Sequence, residues 1–278
     1  MTIIEPHIHM YSRTTDDYQA MHRAGIRACV EPSFWMGTNR RYAGTFFDYF
    51  QLILEFETIR SRRFGIDHFA AVALNPKEAE DTILADEVIS GLAPYLDHPR
   101  CVALGEIGLN NITANEEQAF IKQLRIAEQR HLPVIVHLPH LEKRKGAIRL
   151  IDIIRAENAC VDRIVLDHNT EETIELALDS GCYAGMTVYP ISKLNPERVS
   201  AMVKRYGCRR VIVNGSADWG VSDPLSLVKV VEHMRRDGHA EDTIQNLVYN
   251  TAMEFYRHSP HWTPDFGIVP LDPQEFQR

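Results

Sequence analysis

Eight short apolar segments recur along this chain, and an amphipathic stretch with helical periodicity follows each of them. The segments are apolar on both faces, which is typical of parallel strands covered by helices. Eight strand–helix units in succession predict the α/β class and, within it, a (β/α)8 TIM-like barrel. The segments are TIIEP (2–6), IRACVEP (26–32), HFAAVALN (68–75), CVALGEI (101–107), PVIVHL (133–138), RIVLDH (163–168), CYAGMTV (182–188) and RRVIVNGS (209–216).

The alternative arrangement of such units is an open, doubly wound sheet, in which a GxGxxG turn follows the first strand. Here the first strand leads into the residues PHIH, so the barrel is preferred. A length of 278 residues would allow two domains, but no linker or internal repeat divides the chain. We therefore predict a single barrel domain over residues 1–278, with an additional C-terminal helix and a proline-containing tail from Ser259.

The composition restricts the partners of this chain. Lys and Arg number 30 against 38 Asp and Glu, a formal net charge of −8, which argues against broad adhesion to nucleic acid or to an anionic membrane surface. The five cysteines form no CxxC pair, as expected of reduced, buried thiols. The N-terminus has no signal-peptide pattern, and no run approaches the ~18–20 apolar residues of a membrane span. These features predict a soluble cytoplasmic protein.

Polar side chains close several of the apolar strands. The first strand is expected to end in PHIH, where His7 and His9 are two residues apart, so strand alternation places both side chains on the same side. Alone, this pair fits either a metal site or a solvated strand end. The C-terminal ends of barrel strands converge on one face, and imidazoles and carboxylates buried there need pairing or a metal ion. The pair therefore predicts a metal centre together with the polar residues that close later strands, namely Glu106, His137, His168 and Asp218.

The sequence resembles the TatD-like metal-dependent hydrolases of the amidohydrolase superfamily. The resemblance rests on PHIH, GEIGL, QLRIAEQRHLPVIVH, LDH and NTAMEFY, which stand in the family's order between about residues 3 and 257. It implies a TIM-like barrel with one or two divalent metal ions, and so a binuclear centre when both are bound. It also implies two ligand sets that share Glu106 as the bridge: His7, His9, Glu106 and Asp218 for the first metal, and Glu106, His137 and His168 for the second.

The chemistry of these ligands agrees with a hydrolase. Two divalent ions and two carboxylates leave about +2 when the histidines are neutral, so a bridging water becomes hydroxide near neutral pH. Asp218 is the expected proton shuttle, and Glu106 is the second catalytic group. We expect hydrolysis by metal-activated water without a covalent enzyme intermediate. Mixed imidazole and carboxylate ligands suit Zn, Mn, Fe or Ni.

Departures from the family pattern affect the substrate. After GEIGL this chain has Asn-Asn, and the last expected ligand stands in Ser-Ala-Asp. Both stretches differ from the pattern of the TatD-type nucleases, so we do not carry nuclease activity over to this chain. Stretches such as VEPSFW and SADWGVSDP resemble a TatD-related branch associated with bacterial secondary-metabolite gene clusters. A small-molecule phosphoester is the preferred substrate. The alternatives are a lactone or amide, or a non-catalytic metal-binding barrel within a biosynthetic complex.

Four further residues are candidate substrate contacts. Lys143 and Arg144 follow the fifth strand on the catalytic face, where they could hold an anionic group or simply begin a solvated helix. His140 contacts substrate or lies on the surface, and Trp219 forms a pocket wall or packs. The aromatic connection over residues 33–50 is long enough to be a lid, although it could equally pack on another subunit. We expect a small, anionic molecule as partner, and the oligomeric state stays open.

Overall fold

The computed structural model describes residues 1–272 and contains a sheet of eight parallel strands in chain order. Each strand falls on one of the eight predicted segments, and helices lie between successive strands. The predicted TIM-like barrel is confirmed. The strands are β1 Ile3–Glu5, β2 Ile26–Pro32, β3 Asp67–Val72, β4 Cys101–Gly108, β5 Val134–His137, β6 Ile164–Asp167, β7 Tyr183–Thr187 and β8 Val211–Asn214.

The seam between β8 and β1 is closed just beyond the strand ends. Ser216 donates its backbone N–H to the carbonyl of His7 over 2.7 Å, and His9 donates to the carbonyl of Ala217 over 2.9 Å. The barrel is therefore nearly closed. Because the bonded residues include two predicted metal ligands, the seam itself holds these ligands in place.

The helices cover the outside of the barrel. One π-helical turn joins α2 to α3 (Leu52–Phe56) and another joins α11 to α12 (Asn246–Asn250), so each pair runs as one continuous helix. In residues 1–272 the helices are α1 Thr15–Arg23, α2 Ala43–Gln51, α3 Glu57–Arg62, α4 Thr82–Ser90, α5 Ala93–Leu96, α6 Ala114–Arg130, α7 Lys143–Ala156, α8 Ile174–Asp179, α9 Pro196–Tyr206, α10 Ser226–Arg236, α11 Glu241–Gln245 and α12 Thr251–Tyr256. Short 3-10 turns cover Met10–Ser12, Pro76–Glu78 and Val161–Arg163.

The C-terminal segment closes the N-terminal end of the barrel. Phe255 and Tyr256 of α12 pack with the inward residues of the strands, and Trp262 packs against Phe69 with the rings tilted and their centroids 4.7 Å apart. The tail continues across the starts of β3 and β4, where Asp265 N–H donates to Asp67 over 2.8 Å. The opposite end is left for the loops that carry the predicted site. The tail prediction for residues 273–278 lies outside the described residues.

The long second connection is half loop and half helix. Residues 33–42 form the loop, and α2 then buries Phe46, Tyr49 and Phe50 against this chain's own core. Packing within the chain thus accounts for these three of the seven aromatic residues in positions 33–50.

The cysteines and the helix lengths can be compared with what the composition predicted. The five cysteines are free, and three of them are buried. In residues 1–272, none of the helices combines the length and the apolarity needed to cross a membrane.

Candidate metal centre

The structure gathers the predicted ligands at the C-terminal end of the barrel. His7 and His9 follow β1, Glu106 lies in β4 two residues before its end, His137 ends β5, and His168 follows β6. All five side chains are buried. Five ligand candidates from four separate strands therefore meet in one place, as expected where parallel strand ends converge.

Glu106 stands at the centre of the group. Its Oε1 lies 3.0 Å from His168 Nε2, 3.3 Å from His137 Nδ1 and 3.6 Å from His7 Nε2. One ligand atom each from His7, Glu106 and His168 lies within 4.8 Å of the others, close enough for a single cation to contact all three. The central position agrees with the bridging role that the resemblance implies for Glu106.

The hydrogen bonds of His7 and His9 show where their lone pairs point. His7 Nδ1 lies 2.6 Å from Asp167 Oδ2, and His9 Nδ1 lies 3.1 Å from the carbonyl oxygen of Pro32. Both partners are acceptors, so each Nδ1 carries the proton and each Nε2 presents a lone pair. The two Nε2 atoms face each other over 3.2 Å, an arrangement that needs a positive charge between them.

The same reasoning applies to His168. Thr187 donates its hydroxyl to Asp167 over 3.3 Å, so its oxygen accepts the Nδ1–H of His168 over 2.7 Å. The Nε2 lone pair of His168 then faces the Glu106 carboxylate, and a cation is needed there too. The Nε2 atom of His137 is buried and has no hydrogen-bond partner among residues 1–272. These donor atoms fit a metal ion, and their environments supply the outer contacts that usually orient metal-binding histidines.

The pKa shifts favour the forms that bind metal. Burial lowers the pKa of His9 and of His168 well below the usual value, which keeps both imidazoles neutral. Burial alone would raise the pKa of Glu106, but the imidazoles of His7 and His137 lower it well below its ordinary value. The centre therefore combines neutral nitrogen donors on His9 and His168 with a charged carboxylate on Glu106.

Asp218 occupies a different position from the other five ligand candidates. It is half-buried beyond β8, and its Oδ1 accepts hydrogen bonds from Tyr189 OH over 2.8 Å and from Gly220 N–H over 2.7 Å. It lines the same cavity as Glu106 but is not among the three residues whose ligand atoms meet within 4.8 Å. Its roles as ligand and proton shuttle stay predictions.

A cavity of about 120 Å³ opens onto this centre. Two of the four candidate substrate contacts, His140 and Trp219, line it. Lys143 instead donates to the carbonyl of His168 over 3.0 Å, and Arg144 donates to the carbonyl of Glu172 over 2.9 Å. Neither is among the cavity-lining residues, which are His9, Phe34, Trp35, Asn75, Lys77, Glu106, His137, His140, His168, Lys193, Ser216, Asp218 and Trp219.

Sequence reasoning missed several residues of the site. Asn75 and Lys77 follow β3, so the rule that singled out the other strand ends would have found them too. Asp167 directly precedes His168 in the quoted LDH stretch, but only its contact with His7 reveals its role. Lys193 lies six residues beyond the end of β7, and no pattern marks it.

A TIM-like barrel with histidines and a carboxylate at the C-terminal strand ends defines a class of metal-dependent hydrolases. Residues 4–215 match the model of the family described as TatD related DNase. The chain belongs to this family. A protein of Methanocaldococcus jannaschii named as an uncharacterized metal-dependent hydrolase is 28% identical over 260 residues, which covers 92% of this chain and 100% of the relative.

Solved structures show the same fold. The TatD-like protein from Archaeoglobus fulgidus superposes with a TM-score of 0.75 at 24% identity, covering 91% of this chain and 99% of that one. A phosphotriesterase homology protein from Escherichia coli, solved with phosphate in its active site, gives a TM-score of 0.67 at 16% identity, covering 92% and 98%.

These comparisons confirm the resemblance and the enzyme class. The chain is a metal-dependent hydrolase with a divalent metal cofactor. The alternative of a non-catalytic metal-binding barrel is set aside.

Proposed function

We propose that this hydrolase uses one or two divalent ions, among Zn, Mn, Fe and Ni, to cleave a phosphoester bond in a small anionic molecule. The observation that carries the proposal is the convergence of imidazole lone pairs and the Glu106 carboxylate on one buried point beside a cavity. The related barrel from Escherichia coli was solved with phosphate in its active site, which supports a phosphoryl group as ligand.

The residues that would hold the metal are Glu106 and the four histidines around it, His7, His9, His137 and His168. Bound there, a divalent ion acts as a Lewis acid that makes water more acidic and polarises a phosphoryl oxygen. Asp167, Thr187 and the Pro32 carbonyl orient three of the imidazoles before any ligand arrives. This preorganisation matters because a misaligned ligand set loses affinity for the ion.

Asp218 is the group we assign to proton transfer. Among residues 1–272, the hydrogen bonds to its carboxylate come from Tyr189 and Gly220 and both go to Oδ1, which leaves Oδ2 to accept the proton of the attacking water. A carboxylate that faces the cavity and is held on one side only can take up that proton and later pass it to the leaving group.

The variant Asp218→Asn tests this assignment. The amide keeps the size of the side chain but cannot accept the proton at Oδ2, so we expect kcat to fall by about 10²- to 10⁴-fold. The metal content, measured by elemental analysis, should stay near that of the wild type. The exposed Asp162, which pairs with Arg210, provides the matched control Asp162→Asn. Unchanged turnover in Asp218→Asn with metal still bound would contradict the proton-transfer role.

A carbonyl substrate is the second candidate, and the aromatic side of the cavity favours it. Phe34, Trp35 and Trp219 present apolar surface that suits the acyl part of a lactone or amide. A panel of phosphomonoesters, phosphodiesters, lactones and N-acyl compounds, assayed with added Mn²⁺ or Zn²⁺, separates the two. Activity confined to lactones or N-acyl compounds would exclude the phosphoester proposal.

A further inference from the structure

Two lysines reach the cavity from opposite sides of the barrel. Lys77 lies in the 3-10 turn after β3, and Lys193 lies between β7 and α9. β3 and β7 are four strands apart in an eight-stranded barrel, so the two connections face each other across its mouth. Both side chains line the cavity that also contains Glu106 and Asp218.

These two lysines differ from the other five of the chain in their contacts. The sequence contains seven lysines. Lys143 donates to a backbone carbonyl, and four others form ion pairs with carboxylates: Lys122, Lys145, Lys204 and Lys229. Within residues 1–272, neither Lys77 nor Lys193 forms an ion pair with a carboxylate. Lys77 Nζ lies 4.4 Å above the ring of Trp35, and Lys193 Nζ lies 3.4 Å from Ser216 Oγ.

Lys193 has lost much of its hydration without gaining a close counter-ion. Burial lowers the pKa of its ammonium group, although Glu106, Asp167 and Asp218 act in the opposite direction. When the metal ligands hold a divalent ion, that ion neutralises the carboxylate of Glu106. The cavity then presents two ammonium groups and a metal charge, which an anion would balance.

The size of the cavity limits what enters it. The cavity volume of about 120 Å³ is below the ~300–1,000 Å³ of typical small-molecule pockets, so a small reacting group fills much of it. The rest of the substrate must lie at the mouth, where the rings of Trp35 and Trp219 are 6.2 Å apart and Trp219 is 52% exposed. These aromatic rings offer a surface for stacking a flat or apolar group.

We propose that Lys77 and Lys193 bind the oxygen atoms of a terminal phosphomonoester group, whose aromatic or apolar body rests on Trp35 and Trp219. This inference rests on the proposed function and names the substrate class of the same site. A monoester carries about −1.5 to −2 charges and three acceptor oxygens, enough for two lysines and a metal together. A diester within a chain has one charge and two such oxygens, so it satisfies fewer of these contacts.

Phosphate binding tests the proposal independently of turnover. The probe is inorganic phosphate, titrated by calorimetry into the Mn²⁺-loaded protein. For Lys77→Met and Lys193→Met we expect affinity losses on the order of 10-fold or more each, the size of one hydrogen bond to a charged group. Lys145→Met is the matched control, because Lys145 pairs with Glu142 on the protein surface. The phosphate affinity of this variant should equal that of the wild type.

Two further measurements separate binding from folding and from the proposed function. Lys193→Arg keeps the charge, so it should recover most of the phosphate affinity, whereas a purely structural role predicts no recovery. In the lysine-to-methionine variants, the ratio of kcat/KM for an aryl phosphomonoester to that for the matching diester should fall.

The outcomes are distinguishable. If the wild type binds no phosphate, or if both methionine variants bind it as the wild type does, the inference is wrong even when phosphoesters are hydrolysed. If phosphate affinity depends on both lysines but no phosphoester is cleaved, the anion site stands and the proposed function fails.

Discussion

At the scale of single residues, the site depends on residues that do not face the metal position themselves but form hydrogen bonds to the candidate metal ligands. Asp167 is buried and touches His7 Nδ1, the backbone N–H of His168 and the amide of Asn214. Burial would raise its pKa, but the imidazoles of His168 and His7 and the Asn214 amide lower it below the ordinary value. Its ionised carboxylate fixes the tautomer of His7, and the fixed tautomer aims Nε2 at Glu106.

The variant Asp167→Asn should weaken metal binding. An amide oxygen accepts a hydrogen bond from His7 less strongly than a carboxylate does, so we expect Mn²⁺ affinity to fall by about 10- to 100-fold. Calorimetric titration of Mn²⁺ into the metal-free protein measures this affinity. Asp162→Asn again serves as control. An unchanged affinity in correctly folded Asp167→Asn would show that the other contacts of His7 suffice to orient it.

At the scale of elements, the two ends of the barrel have different roles. The C-terminal segment fills one end with large side chains: Phe255 is fully buried, and Tyr256 donates its hydroxyl to the Pro6 carbonyl over 2.7 Å. The connections after β1, β3, β5, β6, β7 and β8, together with Glu106 of β4, contribute polar side chains at the other end. Residues near α12 therefore concern stability, while residues in these connections concern chemistry.

The variant Phe255→Ala should destabilise the barrel without altering the site. Removing a fully buried aromatic ring costs about 3–5 kcal/mol of unfolding free energy, because the cavity that is left closes only in part. Urea denaturation measures the loss. The control is Ile83→Ala, whose side chain is 82% exposed and whose removal should stay within ~0.5 kcal/mol. Equal losses in the two variants would contradict the closing role of α12.

At the scale of the whole molecule, metal binding and folding are coupled. The ligands come from positions between residues 7 and 168, so the ligand set exists only when the barrel is formed. An ion that binds the folded chain and not the unfolded one stabilises it by mass action. An ion held by His7, Glu106 and His168 would therefore link the seam between β8 and β1 to β4 and β6 on the far side of the barrel.

Removing the metal should lower the melting temperature. At a free ion concentration of 100 times Kd, binding contributes about 2.7 kcal/mol, and a chelator removes that contribution. Differential scanning calorimetry with and without EDTA, followed by Mn²⁺ addition, measures the loss and its recovery. His7→Ala, which lacks one of the three meeting ligands, should show a much smaller response to EDTA. An identical response in both proteins would place the stabilising ion elsewhere.

The sequence alone was sufficient for the barrel and for most of the metal centre. Strand positions follow from local apolar runs, and chain order assigns the C-terminal end of each strand to one face, so His7, Glu106 and His168 could be predicted to meet. The predicted ends were less accurate: β1 stops at Glu5, and β4 continues two residues past Glu106. Strand ends depend on neighbouring strands, which local periodicity does not describe.

Only the tertiary structure decided which basic residues line the cavity. The sequence favoured Lys143 and Arg144 because they follow β5, but backbone carbonyls of the β6–α8 connection hold them both. Lys193, which no pattern marked, lies beside Ser216 in the cavity wall. A side chain in a loop or at the start of a helix points toward whatever partner the folded chain brings near it, and these partners are 23 to 28 residues away. Strand periodicity is a local property of the sequence, whereas the direction of a loop side chain is a property of the whole fold.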